Sequence, residues 1–137
     1  MSVPPLCRVL LVEDDPDIRA IVDFALAAVG GLRVEVCASG REAIARAPLF
    51  RPELVLLDVM MPGMDGWATL RALRDLPQTA ETPTVFMTAK VQPHEIDAYR
   101  RAGACDVIVK PFAPTELADR LRAIWRRVHD EAESGPA

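Results

Sequence analysis

The sequence predicts an α/β domain: a doubly wound, five-stranded parallel sheet in the order 2-1-3-4-5, with five helices over its two faces. Three observations carry that prediction. Short apolar runs alternate with helical patterns five times along the 137 residues. The third run, Leu54-Val55-Leu56-Leu57, is apolar throughout, as a strand covered on both faces must be. Polar residues stand where the runs stop, at Glu13-Asp14-Asp15, Asp58, Thr88 and Lys110, and the carboxyl ends of strands are where open α/β sheets bind ligands.

Each element has its own signal. Val9-Leu10-Leu11-Val12 reads as strand one. Asp15 follows as an N-cap and Pro16 as a first helical residue, opening helix one with Ile18, Ile21, Val22, Ala25, Leu26 and Val29 on one face. Gly30-Gly31 stops it. Val34-Glu35-Val36-Cys37 alternates apolar and polar, as an edge strand with one wetter face does. Ser39 caps a second helix through Ala43, Ile44 and Ala47, which Pro48 is expected to close. Leu54 to Asp58 is strand three, and Asp65-Gly66 leads into a third helix carrying Trp67, Leu70 and Leu73.

Thr84-Val85-Phe86-Met87-Thr88 is strand four. A fourth helix follows Pro93 with a thin apolar face of Ile96, Tyr99 and Ala102, which predicts a loosely held element. Cys105 to Val109 is strand five, and Lys110-Pro111-Phe112 its exit. The last helix uses Leu117, Leu121, Ile124 and Val128, with Pro114 at its first position and Ala113 where a capping side chain usually stands. Five βα units in sequence imply right-handed crossovers and helices on both faces. The resulting boundaries are an N-terminal extension over 1–7, the domain over 8–129 and a disordered tail over 130–137.

Composition excludes several classes. Half the residues are hydrophobic, the net charge is −4 and the sequence pI is near 5.2, so direct binding of nucleic acid is not expected. No apolar stretch approaches the roughly 20 residues that span a bilayer, and Met1 to Pro5 lacks the regions of a signal peptide; the cytoplasm is the expected compartment. Cys7, Cys37 and Cys105 are too far apart for a zinc site or a disulfide framework and read as buried thiols. His94 and His129 lack partner acids or cysteines and read as solvated, as do Arg120, Arg122, Arg126 and Arg127 on the last helix.

With strands one and three flanking the switch point, the sheet gathers Glu13, Asp14, Asp58, Thr88 and Lys110 on one rim. These residues, in the strings Leu11-Val12-Glu13-Asp14-Asp15, Leu56-Leu57-Asp58 through Asp65-Gly66, Met87-Thr88-Ala89 and Val109-Lys110-Pro111-Phe112, resemble the receiver domains of two-component response regulators. The resemblance runs from about Arg8 to about Val128. It points to the flavodoxin-like, chemotaxis-regulator-like version of the fold.

The chemistry follows from the residue types. Three carboxylates about 4 Å apart repel by about 4 kcal/mol per pair at an effective dielectric of 20, so the cluster needs a cation. Hard oxygen donors favour Mg²⁺, with Asp14 and Asp58 as direct ligands and Glu13 acting through water. The resemblance adds the backbone carbonyl of Met60 as a ligand. Asp58 is then the phosphoacceptor, and Lys110 neutralises the phosphoryl oxygens.

The resemblance further implies a phosphohistidine donor, on a histidine kinase or a histidine phosphotransfer protein, and slow self-hydrolysis rather than turnover of an enzyme. It implies that Thr88 senses the phosphoryl group, that the readout is a protein contact on helix four, strand five and helix five, that homodimerisation is an open option, and that Lys110-Pro111 is cis. The chain departs from the family pattern at Val107, three residues before Lys110, where many members carry an aromatic switch residue; Tyr99, in helix four, is not assumed to replace it. Met60 and Lys90 stand at positions that gate water in the family.

The favoured reading is a stand-alone receiver in a phosphorelay. Alternatives are a receiver-fold binding module that works without phosphate, and the receiver fragment of a larger regulator or hybrid kinase. A phosphatase using Asp58 is disfavoured because Met60 stands where a second acid is wanted, and no P-loop motif is present.

Overall fold

The computed structural model describes residues 3–133. Five strands, β1 (Arg8–Val12), β2 (Arg33–Cys37), β3 (Leu54–Asp58), β4 (Thr84–Thr88) and β5 (Asp106–Val109), form one sheet in the order β2-β1-β3-β4-β5. All four ladders are parallel, and Leu11 pairs with both Val36 and Leu56. Every residue of β3 and β4 is buried, as central strands covered on both faces should be.

The helices are α1 (Pro16–Asp23, continued by a π-helical turn over Phe24–Val29), α2 (Gly40–Phe50), α3 (Gly66–Arg74), α4 (Pro93–Arg101) and α5 (Pro114–Glu133). They divide the apolar interior in two. On one face Val22, Leu26, Leu117 and Leu121 from α1 and α5 pack on Leu11, Leu56 and Met87. On the other, Ala43, Leu70, Leu73 and Tyr99 from α2, α3 and α4 pack on Leu10, Leu57 and Phe86. The alternation of side chains along each strand makes this division, since neighbours point to opposite faces.

Several expectations are corrected. Pro48 lies inside α2, which runs two residues further before Arg51 caps it in the left-handed region at φ 54°. A proline so near the carboxyl end removes one intrahelical bond only, and Arg51 N–H still donates to the Ala47 carbonyl at 2.8 Å. Helix one does not bury all of its predicted face. Val22, Ala25 and Leu26 are buried, but Ile21 is 49% and Val29 57% exposed; Val29 closes the wider π turn, whereas Ile21 lies before it in the regular helix. Gly30 ends that turn against α5, where an added Cβ would lie 2.5 Å from Ala118 Cβ.

Ala102 is the exposed C-cap of α4 rather than part of its apolar face. Helix α5 continues to Glu133, so residues 130–133 are helical where the sequence suggested a disordered tail; 134–137 lie outside the described residues. Within the N-terminal extension Leu6 is buried, and Trp125 Nε1 donates to the Pro4 carbonyl at 2.7 Å; residues 1 and 2 lie outside the described residues. Cys7 is exposed rather than buried. His94 is exposed as expected, whereas His129 is half-buried, its ring centroid 3.9 Å from that of Trp125 with the planes tilted by 50°.

Candidate functional site

The site is built from the ends of β1, β3, β4 and β5. β1 delivers Glu13, which is fully buried, and the half-exposed Asp14. Asp15 caps α1 by accepting from Asp17 N–H at 2.8 Å, which bends the chain away from the sheet and leaves the two preceding acids on the rim. Arg19, one turn into α1, donates to the carbonyls of Glu13 and Asp14 at 3.0 and 3.2 Å and fixes that bend.

Asp58 closes β3 and is 4% exposed. The loop after it returns sharply: Gly66 N–H donates to the Val59 carbonyl at 2.9 Å, and a Cβ on Gly66 would lie 2.5 Å from the Asp58 carbonyl oxygen. Only glycine permits that approach. Carboxylate oxygens of Glu13, Asp14 and Asp58 all lie within 4.8 Å of one another. From β5, Lys110 reaches across, its Nζ donating to Glu13 Oε1 at 2.8 Å and to Asp58 Oδ1 at 3.2 Å. The Lys110-Pro111 peptide is cis.

Burial and the adjacent Asp58 carboxylate raise the Glu13 carboxyl above its ordinary range, against the opposing pull of Lys110. For Lys110, burial acts to lower the pKa, but its bonds and charge contacts with Glu13 and Asp58 outweigh burial and hold the ammonium above its usual value. The donor set fits a divalent cation. Three carboxylates against one ammonium leave the cluster formally dianionic, with hard oxygens only.

Thr88 ends β4, one residue past Met87, the ladder partner of Asp58. Its backbone is tied to the lysine, since Lys110 N–H donates to the Thr88 carbonyl at 2.9 Å. Its hydroxyl is turned to α4, 3.4 Å from the Tyr99 hydroxyl, and accepts from Lys90 N–H at 3.0 Å. The structure thus brings Glu13, Asp14, Asp58 and Lys110 together and leaves the Thr88 hydroxyl engaged elsewhere. Met60 N–H approaches Asp58 Oδ1 at 3.4 Å, and the Met60 side chain is 59% exposed.

Two residues near the site escaped the sequence reading. Arg19 has no motif, because its partners are main-chain carbonyls. Tyr99 was legible as an apolar-face residue of helix four, not assumed to replace the missing aromatic, yet its hydroxyl also donates to the Lys90 carbonyl at 2.9 Å. Beside Lys110, Ile18, Ile21, Pro111, Phe112 and Pro114 line an apolar groove of about 350 Å³.

These features define a doubly wound α/β domain with a formally dianionic rim, bridged by one lysine, at the switch point of its sheet. The chain belongs to the response regulator receiver domain family, whose profile matches residues 9–122. The DNA-binding response regulator MtrA of Mycolicibacterium smegmatis is 38% identical over 124 residues, which are 90% of this chain and 53% of the relative. The transcriptional regulatory protein TrcR of Mycobacterium tuberculosis is 40% identical over 120 residues, 88% of this chain and 46% of the relative. The chain therefore spans about half the length of these curated relatives. Among solved structures, the Vibrio cholerae chemotaxis protein CheY4 superposes with a TM-score of 0.81 at 34% identity, over 87% of this chain and 98% of that one. Among the described residues, no helix is long and apolar enough to cross a membrane.

Proposed function

We propose that the chain takes a phosphoryl group from a phosphohistidine onto Asp58, and passes the signal on through protein contact in a cytoplasmic phosphorelay. The observation that carries this reading is Lys110 Nζ bridging Glu13 Oε1 at 2.8 Å and Asp58 Oδ1 at 3.2 Å inside a three-carboxylate cluster. Asp14 and Asp58 would hold Mg²⁺ directly, with Glu13 behind them and the Met60 carbonyl as a further ligand. The cation supplies charge neutralisation for the transferring group and for the acids around it.

The chain's own residues do the rest. An Asp58 carboxylate oxygen attacks phosphorus; the bond to the histidine nitrogen breaks, and its electron pair returns to the imidazole, which leaves with the donor. Lys110 neutralises the equatorial oxygens as a point charge. Thr88 senses the product. The groove of Ile18, Ile21, Pro111 and Phe112 lies against Lys110 and gives a donor protein an apolar seat beside the acceptor. The reaction is a single transfer with slow hydrolysis afterwards, not turnover.

Mass spectrometry after incubation with Mg²⁺ and acetyl phosphate tests this reading. Wild type should gain the mass of one phosphate and Asp58→Ala none; no gain in a wild type that binds Mg²⁺ overturns it. A second reading of the output rests on MtrA and TrcR, whose names describe DNA-binding and transcriptional regulators. In it the receiver is the input half of a longer protein, and the intact gene product should protect specific DNA in a phosphorylation-dependent footprint. The stand-alone reading predicts no footprint, and a partner on α4, β5 and α5 instead.

A further inference from the structure

Tyr99 is the only buried residue of α4, and its hydroxyl completes a relay with Thr88 and Lys90. The hydrogens in that relay can be counted. The Lys90 carbonyl can only accept, so the one hydroxyl hydrogen of Tyr99 goes there, at 2.9 Å. Lys90 N–H fills a lone pair of Thr88 Oγ1 at 3.0 Å. The remaining 3.4 Å contact is therefore made by the Thr88 hydrogen, with the Tyr99 oxygen accepting. Thr88 has no second hydrogen to give. The side chain three residues before Lys110, Val107, is buried and aliphatic and offers no hydroxyl to this network.

We infer that Tyr99 is the residue through which a group on Asp58 moves α4: a new acceptor on Asp58 takes the Thr88 hydrogen, and Tyr99 loses its hydroxyl link to β4. This rests on the phosphoacceptor reading of Asp58. The direction follows from bond quality. At 3.4 Å the existing contact is at the weak end of hydrogen-bond geometry, whereas a bond from a hydroxyl to a phosphoryl oxygen is charge-assisted and short. Tyr99 keeps its bond to Lys90, which belongs to the loop leading into α4, so loop and helix shift as one piece. The ring is also seated 5.1 Å from Trp67 and 5.5 Å from Phe86. Release of the hydroxyl thus leaves Tyr99 joined to the sheet by ring contacts, with half-buried Ile96 packed on the same cluster.

Hydrogen-exchange mass spectrometry on the full chain tests this, with intact mass read on the same samples after Mg²⁺ and acetyl phosphate. Labelled wild type should exchange its α4 amides about two- to tenfold faster than unlabelled, the factor set by one hydrogen bond of ordinary net strength. Tyr99→Phe should take the phosphate as wild type does, show the faster α4 exchange already without it, and gain little on labelling. Exchange over β1 and α5 is the reference: a merely destabilised variant speeds up everywhere, the relay only in α4. Labelled wild type with unchanged α4 exchange overturns the inference while leaving the phosphoacceptor reading intact, as does Tyr99→Phe matching wild type in both states. Wild type that gains no mass overturns both.

Discussion

Helices α3 and α4 are each nine residues long and stand on the same face of the sheet, yet they are held in opposite ways. α3 buries Gly66, Thr69, Leu70 and Leu73, and is capped by the Asp65 carboxylate accepting from Ala68 N–H at 2.9 Å. α4 buries Tyr99 and nothing else. Its N-terminus is closed by Glu95 accepting from Gln92 N–H at 3.2 Å, a bond exposed to solvent. The difference makes α3 a firmly held wall behind Asp58's loop, and α4 the more lightly held of the two, anchored in the core by Tyr99 with Ile96 half-buried beside it. A helix with one buried anchor is drawn from the low-stability end of a fold, where movable elements belong.

The contrast can be broken most strongly at Leu73, which is fully buried. Leu73→Ala should cost about 2–5 kcal/mol, seen as a lower urea midpoint with unchanged slope. Next is Gly66→Ala, whose added Cβ meets backbone on the Asp58 side that cannot yield. It should cost about 1–3 kcal/mol and slow acetyl phosphate labelling, although alanine is the better helix former.

Alkali probes both faces of the sheet, since Cys105, at the turn into β5, packs on the α1 and α5 side and Cys37 on the side of α2, α3 and α4. Burial, aided by Asp106, pushes the Cys105 thiol from 9.0 up to about 11, and burial does the same to Cys37. Between those values the unfolded chain has released protons that the folded chain retains. Stability from these thiols is therefore complete below about pH 9 and lost toward pH 11. Cys105→Ala should flatten part of that decline in urea titrations. The smallest effect is expected at Ile96, half-buried on α4: Ile96→Ala should cost about 1 kcal/mol or less. A loss there equal to that of Leu73→Ala would erase the distinction between the two helices.

Most of the fold was legible because its signals are local. Apolar runs such as Leu54 to Leu57 read as buried strands, and Asp15-Pro16 and Ser39 mark helix starts by side-chain chemistry that needs no tertiary partner. The acids and Lys110 were legible for a related reason, since each stands directly at a strand end and the strand order alone brings them together. The features that escaped depend on contacts between distant residues. Pro48 is the local exception, continuing its helix because the end set by Arg51 is only three residues on. The π turn of helix one is matched to Gly30 resting on Ala118 of α5, a residue 88 positions away in a sequence of 137. Tyr99 read as an ordinary apolar-face residue because nothing near it in sequence announces the Thr88 hydroxyl.

The bond from Trp125 to the Pro4 carbonyl has a practical consequence. The chain has two tryptophans, and the fold puts them in unrelated surroundings. Trp67 touches Phe86 and Tyr99 beneath α4, whereas Trp125 is clamped between the amino-terminal segment and the His129 ring. The molecule thus carries two optical channels. Single-tryptophan variants would let emission separate events at the phosphorylation end from fraying where the first residues meet the last helix, in one cuvette and without any added dye.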